Sequence, residues 1–216
     1  NERKVKKFLL VCPPEFDLLF IKPYFDDLPV PHVRFSNFVA NPLYENVVEG
    51  VDLFRKEQCD FIVAVGGGSA IDVAKCIKLY AVLDPSVNYL KQKVVASSIG
   101  LMAIPTTAGT GSESTRYAVI YEEGVKQSVT HDSIVPDFAI LEAKFLETLP
   151  LYIKKTAMLD ALCHGIESMW SVNSTDESME YSRQTISLIL GHYEAYLQGD
   201  ASAAEKILLA ANISGR

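Results

Sequence analysis

One stretch, FIVAVGGGSAIDVAK from Phe61 to Lys75, limits the fold more than any other. Phe61 to Val65 is apolar without a break, as a strand buried on both faces should be. Gly66, Gly67, Gly68 and Ser69 follow, and then Ile71, Ala74, Ile77 and Lys78 continue in a helical pattern. Glycines let the backbone turn sharply and bring bare N–H groups close to a ligand. The helix that starts here adds its own free N–H groups and the positive end of its dipole. Strand, glycine turn and helix start together make a seat for a phosphate or pyrophosphate. The alternative is a strand-to-helix turn that binds nothing: the third glycine of G-x-G-x-x-G is missing, and so are the Walker lysine and Ser/Thr.

On either side of this centre the chain alternates. Val5 to Cys12 has β character and stops at Pro13-Pro14, and a weak helix is expected over Asp17 to Asp26, interrupted by Pro23. Val33 to Val39 reads as a second strand, ended by Asn41-Pro42. Val47, Val48, Val51 and Phe54 make Tyr44 to Lys56 an amphipathic helix, and the helix after the glycines runs to about Leu83. Strand, helix, strand, helix predicts parallel strands with right-handed crossovers, a Rossmann-like α/β domain. Gly100 to Ile104, Tyr117 to Tyr121 and Phe138 to Leu141 read as further strands, with a hairpin turn at Glu122-Glu123-Gly124. From Leu151 only helices are expected: Leu151 to Ser171, a second capped by Ser174 with Glu177 and ending near Gln198, and a third after Gly199-Asp200. The change of pattern puts a domain boundary near Thr148, dividing the chain into 1–148 and 149–216.

Two further patterns carry chemistry. Pro105-Thr106-Thr107-Ala108-Gly109-Thr110-Gly111-Ser112-Glu113 leaves a predicted strand as a loop of hydroxyls and small residues, at the sheet edge where ligands bind in such folds. Its hydroxyls can donate to phosphate or ribose, or they can satisfy their own backbone through side-chain turns. No G-x-S-x-G elbow is present to make Ser112 a nucleophile. Asp160 and His164 lie four apart, hence on one helix face, where they can hold one divalent ion or form a plain surface ion pair. No spacing ties His131 or His192 to that pair, and His32 sits among prolines.

Composition removes several classes. A net charge of −7 argues against a nucleic-acid binder. The four cysteines, Cys12, Cys59, Cys76 and Cys163, show no C-x-x-C spacing, so neither a zinc knuckle nor a disulfide frame is indicated, and a reducing, cytoplasmic setting is expected. No stretch approaches the roughly 20 apolar residues of a membrane span, and NERKVKK has no apolar signal core behind it.

GGGSAIDVAK, AIPTTAGTGSE and MLDALCHGIES, in this order, resemble the iron-containing (group III) alcohol dehydrogenases. The resemblance runs from Val5 to Ile213. It implies a nucleotide-binding α/β domain, then a helical domain, with NAD or NADP and a divalent metal, Fe²⁺ or Zn²⁺. Carried over by position, Gly66, Gly67, Gly68 and Ser69 would hold the pyrophosphate. Thr106, Thr107, Thr110 and Thr115 would line the rest of the cofactor, with Tyr117 and Lys126 close by. Asp160 and His164 would be the first two metal ligands. The family needs two more histidines, so a fragment of a longer protein is expected, with an incomplete metal site. Pro13 stands where many members carry an acid that excludes NADP, which leaves the choice of cofactor open.

The stretches ESTRYAVIYEEGVKQSVTHDSIVPD and SVNSTDES look most like the phosphonoacetaldehyde reductases, with Arg116 and Lys126 as candidates to meet an anionic substrate. The resemblance implies hydride transfer between nicotinamide and a small aldehyde or primary alcohol, the metal acting as Lewis acid. Glycerol dehydrogenase, the dehydroquinate synthases and a nucleotide-binding fragment without turnover are the alternatives. No general base is indicated; no nucleic-acid or membrane partner is expected, and a homodimer is compatible with the sequence.

Overall fold

The computed structural model describes residues 4–216. By contact the chain forms two compact units: 1–103 with 116–139, and 104–115 with 140–216. This is a different division from the expected 1–148 and 149–216, because the threonine loop leaves the sheet and packs with the helices.

The first unit is built on a five-stranded sheet in the order β2 (His32–Phe35), β1 (Phe8–Val11), β3 (Phe61–Gly66), β4 (Gly100–Pro105), β7 (Phe138–Ala139). β1 runs parallel to both β2 and β3, with Val11 level with Phe35 and Ala64, and β4 runs parallel to β7. The direction of strand addition therefore reverses at β1 and β3, the crevice where ligands seat in open α/β sheets. Period-two alternation sends Leu9, Val11, Ile62, Ala64, Leu101 and Ala103 to one face. There they meet α2 (Tyr44–Lys56) through Val47, Val51 and Phe54, and α3 (Gly68–Tyr80) through Ile71, Ala74 and Ile77. Phe61, Val63 and Met102 on the other face line an apolar cavity of about 590 Å³ with Phe25 and Leu28. A two-stranded antiparallel hairpin, β5 (Tyr117–Glu122) and β6 (Val125–Thr130), completes the unit and turns through Glu123 and Gly124, both at positive φ.

Several boundaries differ from expectation. The second strand is only His32–Phe35, and the last keeps two residues, Phe138 and Ala139. The weak helix resolves into a 3₁₀ turn, Pro14–Leu18, and a short α1, Lys22–Asp26, where Pro23 begins the helix instead of breaking it. α3 stops at Tyr80 because Arg55 gathers the carbonyls of Tyr80, Ala81 and Leu83.

The second unit holds α4 (Leu151–Trp170), α5 (Asp176–Leu197) and α6 (Ala201–Ser214) around Ala161, Ile189, Tyr196, Ile207 and Leu208. The capping box of α5 is Thr175 with Ser178, not Ser174 with Glu177. Ser174 turns back and donates to the Ser168 and Ser171 carbonyls at the end of α4. No helix of the described residues is long and apolar enough to cross a membrane.

Candidate cofactor and metal sites

In the first unit the glycine turn sits where the strand order reverses. Gly66 ends β3 at φ 153°, a conformation L side chains rarely adopt. A Cβ there would lie 2.7 Å from Ala70 Cβ and 3.3 Å from Pro13 Cδ, so the turn lies against the residue two beyond β1. Gly67 is the N-cap of α3 and no side chain caps the helix. The Gly67 carbonyl takes the N–H groups of Ala70 and Ile71, and those of Gly68 and Ser69 start the helix with no acceptor in the preceding turn. No acidic side chain lies in that first turn to compete with an anion. An uncapped, glycine-led helix start beside a strand-order reversal fits a diphosphate.

Pro13 is held firmly. Arg34 on β2 donates to the Pro13 carbonyl at 2.9 Å and the Pro14 carbonyl at 2.8 Å, and pairs with Asp17 at 2.7 Å. Beside it, burial pushes the Cys12 thiol above its ordinary range, against the opposing pull of Ser36 and Arg34. Buried there, the thiol serves as a packing group.

In the second unit the threonine loop is packed against two helices. Gly109 faces α4 so closely that a Cβ would come within 2.9 Å of the Ala157 carbonyl oxygen. Gly111, left-handed at φ 60°, faces Ala211 and Gly215 at the end of α6. Asn212 on α6 donates to Glu113 at 3.1 Å and to Ser114 at 2.6 Å, which accounts for a glutamate only 4% exposed. Thr110 accepts from the Ser112 N–H at 3.2 Å, so this hydroxyl does satisfy its own backbone. Thr106, Thr107 and Thr115 are half-buried.

Ala157, which Gly109 touches, is one turn of α4 before Asp160. His164 Nε2 lies 3.7 Å from Asp160 Oδ1, both side chains partly exposed. Two ligands about 2.1 Å from one ion stand roughly 3.4 Å apart in tetrahedral geometry, so the pair fits two positions of a coordination shell. Among the described residues no group of three or more His, Cys, Asp or Glu could hold an ion. The other histidines are otherwise engaged: His32 stacks on Phe8 at 4.9 Å, His131 accepts from the Ser133 N–H, and His192 Nδ1 lies 2.8 Å from its own helix's Leu188 carbonyl.

Tyr117 and Lys126 are not together. Lys126 pairs across the hairpin with Tyr121, four residues along β5 from Tyr117, or about 14 Å at strand rise. Arg116 pairs with Asp132 at 3.1 Å and lies over the Tyr117 ring.

Residues 1–143 match the family described as iron-containing alcohol dehydrogenase. The chain belongs to the iron-containing alcohol dehydrogenases. Within that family it is 34% identical over 190 residues to a probable alcohol dehydrogenase, EutG, of Escherichia coli, covering 82% of this chain and 46% of that protein. It is 32% identical over 177 residues to the phosphonoacetaldehyde reductase of Streptomyces viridochromogenes, covering 75% of this chain and 44% of the other. The crystal structure of sulfoacetaldehyde reductase from Bifidobacterium kashiwanohense in complex with NAD+ superposes with a TM-score of 0.91 at 26% identity, over 98% of this chain and 58% of that one. The chain thus spans about half the length of the curated relatives it matches. The matched stretch contains two of the three motifs read from the sequence, GGGSAIDVAK and AIPTTAGTGSE.

Proposed function

We propose that the protein is a metal-dependent, NAD(P)-linked alcohol dehydrogenase or aldehyde reductase acting on a small aldehyde or primary alcohol. The observation that carries this reading is the glycine turn: an uncapped, glycine-led helix start at the reversal of strand order, in a member of a dehydrogenase family. Gly66, Gly67, Gly68 and Ser69 would seat the dinucleotide's diphosphate, their role being binding and orientation. Thr106, Thr107, Thr110 and Thr115, with Tyr117 and Lys126, would contact the remainder of the cofactor. The roughly 14 Å of strand from Tyr117 to Tyr121, the residue opposite Lys126, is in keeping with separate contacts along the cofactor.

Asp160 and His164 would supply two ligands to a divalent ion, Fe²⁺ in keeping with the family. When bound, such an ion supplies Lewis-acid polarisation of the substrate oxygen, and the nicotinamide supplies the hydride. Pro13 beside Gly66 brings no carboxylate to repel a 2′-phosphate, which supports use of either NAD or NADP. The names of two relatives, a phosphonoacetaldehyde and a sulfoacetaldehyde reductase, favour a small aldehyde that carries an anionic group.

The test is titration of the protein with NADH and NADPH, followed by turnover with phosphonoacetaldehyde and acetaldehyde with and without added Fe²⁺. Saturable binding of a reduced dinucleotide is expected. Binding of neither removes the reading; binding without turnover favours the catalytically incompetent alternative.

A further inference from the structure

α3 starts at the glycine turn, and the line of residues three apart on it is polar where a core helix face should be apolar: Asp72, Lys75 and Lys78. Lys75 is 0% exposed and Lys78 3%. Lysines are almost never so buried without a partner, and both have one. Lys75 Nζ donates to the Tyr117 carbonyl at 2.8 Å, and the Asp72 carboxylate accepts the Val119 N–H at 3.0 Å. Lys78 pairs with Asp137 at 3.1 Å, and the same carboxylate oxygen takes the Leu101 N–H at 2.8 Å.

The first two bonds have a particular geometry. In an extended strand the carbonyl of one residue and the N–H of the second residue after it point to the same edge. Tyr117 and Val119 bear that relation on β5, so one turn of α3 offers an acceptor and a donor where a neighbouring strand would offer them. Ala118 and Ile120, between and beyond these residues, are buried in the core. A two-stranded hairpin has little stability alone, and this edge would otherwise be open. The effect is to fix the hairpin to the helix of the glycine turn at a single register.

We propose that Asp72 and Lys75 are positioning residues of the dinucleotide site, fastening the strand that carries Tyr117 to the helix that begins at the phosphate seat. The proposal rests on the reading above, in which the glycine turn and Tyr117 both meet the cofactor. Neither residue touches the ligand; each sets the distance between two surfaces that do.

The experiment compares wild type with Asp72→Ala, Asp72→Asn and Lys75→Met by amide hydrogen exchange across β5, thermal melting and NADH affinity. Asn keeps an oxygen that can accept the Val119 N–H, and Met fills the lysine's volume without its donor. Expected are faster exchange along Tyr117–Glu122 and NADH binding about tenfold weaker for Asp72→Ala and Lys75→Met, with near-wild-type values for Asp72→Asn. Lys75→Met should also melt lower, because the Tyr117 carbonyl loses its donor; the deciding readout is NADH affinity, which a lysine with no part in positioning would leave unchanged in the folded variant. Unchanged NADH affinity in a folded Lys75→Met overturns the proposal, and so does a Lys75→Met that does not fold. Should Asp72→Ala alone fail to fold, Lys75→Met against Asp72→Asn decides the matter. Absence of NADH binding in wild type sinks the functional reading instead; β5 exchange then still decides whether the tether exists.

Discussion

Gly111→Ala should loosen the threonine loop from the helices on which it lies, and Gly199→Ala provides the control. Both glycines sit in the second unit at positive φ, 60° and 94°. Each substitution therefore carries a backbone penalty of about 1–2 kcal/mol for a left-handed L-residue. They differ in what the new methyl meets. At Gly199 nothing lies within 4 Å. At Gly111 the Cβ would be 2.9 Å from Gly215 N and 3.0 Å from its Cα, and nearer still to the Ala211 carbonyl oxygen. These are backbone atoms of a helix end, roughly 0.5 Å or more inside van der Waals contact, and they cannot swing aside as a side chain does. Overpacking of that kind costs about 1–3 kcal/mol. At an m-value of about 2 kcal/mol/M, the urea midpoint of Gly111→Ala should fall about 0.5–1.5 M below that of Gly199→Ala, followed by helical circular dichroism. Equal midpoints would show that the loop does not lie on α6 as described.

Other outcomes follow from the same coordinates. In a protein that completes the ligand set, Asp160→Ala and His164→Ala should each abolish iron retention by elemental analysis; unchanged metal content assigns the ion elsewhere. Cys163 is exposed, while Cys12, Cys59 and Cys76 are buried, and burial pushes the Cys59 thiol up to about 11. A chromogenic disulfide at pH 8 should thus label one thiol per chain quickly, and rapid labelling of a second would contradict the packing. Burial also pushes the Tyr196 phenol up to about 12, and its hydroxyl has no partner among the described residues. Between pH 10 and 12 the unfolded chain releases a proton that the folded chain keeps, so this group lowers stability as pH rises, by about 2–3 kcal/mol over the window. Tyr196→Phe should remove that part of the alkaline fall; an identical slope would mean the phenol is not desolvated.

The features legible in the sequence are those that depend on local period and turn chemistry. Phe61 to Val65, the glycines and the α3 pattern appear as read, since an unbroken apolar run and a helical repeat each have one compact solution. The hairpin at Glu123-Gly124 was equally plain. What escaped is non-local. Nothing in the sequence pairs Lys75 with Tyr117 or Lys78 with Asp137, 42 and 59 residues onward. The capping box slipped by one residue because Ser174 and Thr175 offer the same hydroxyl, and only the carbonyls at the end of α4 decide which one is used. The place of the threonine loop could not be read either, since its polarity suits any sheet edge, and Ala157 and Asn212 are what hold it.

The covalent thread passes from one compact unit to the other after Ala103, back after Thr115, and across again after Ala139. Neither unit can therefore be finished by a ribosome before the other is under way. Nor can a protease release either by a single cut. A recombinant piece ending at Thr148 would present Ala108, Gly109 and Gly111 to water, their helical bed left behind, and should be prone to clumping.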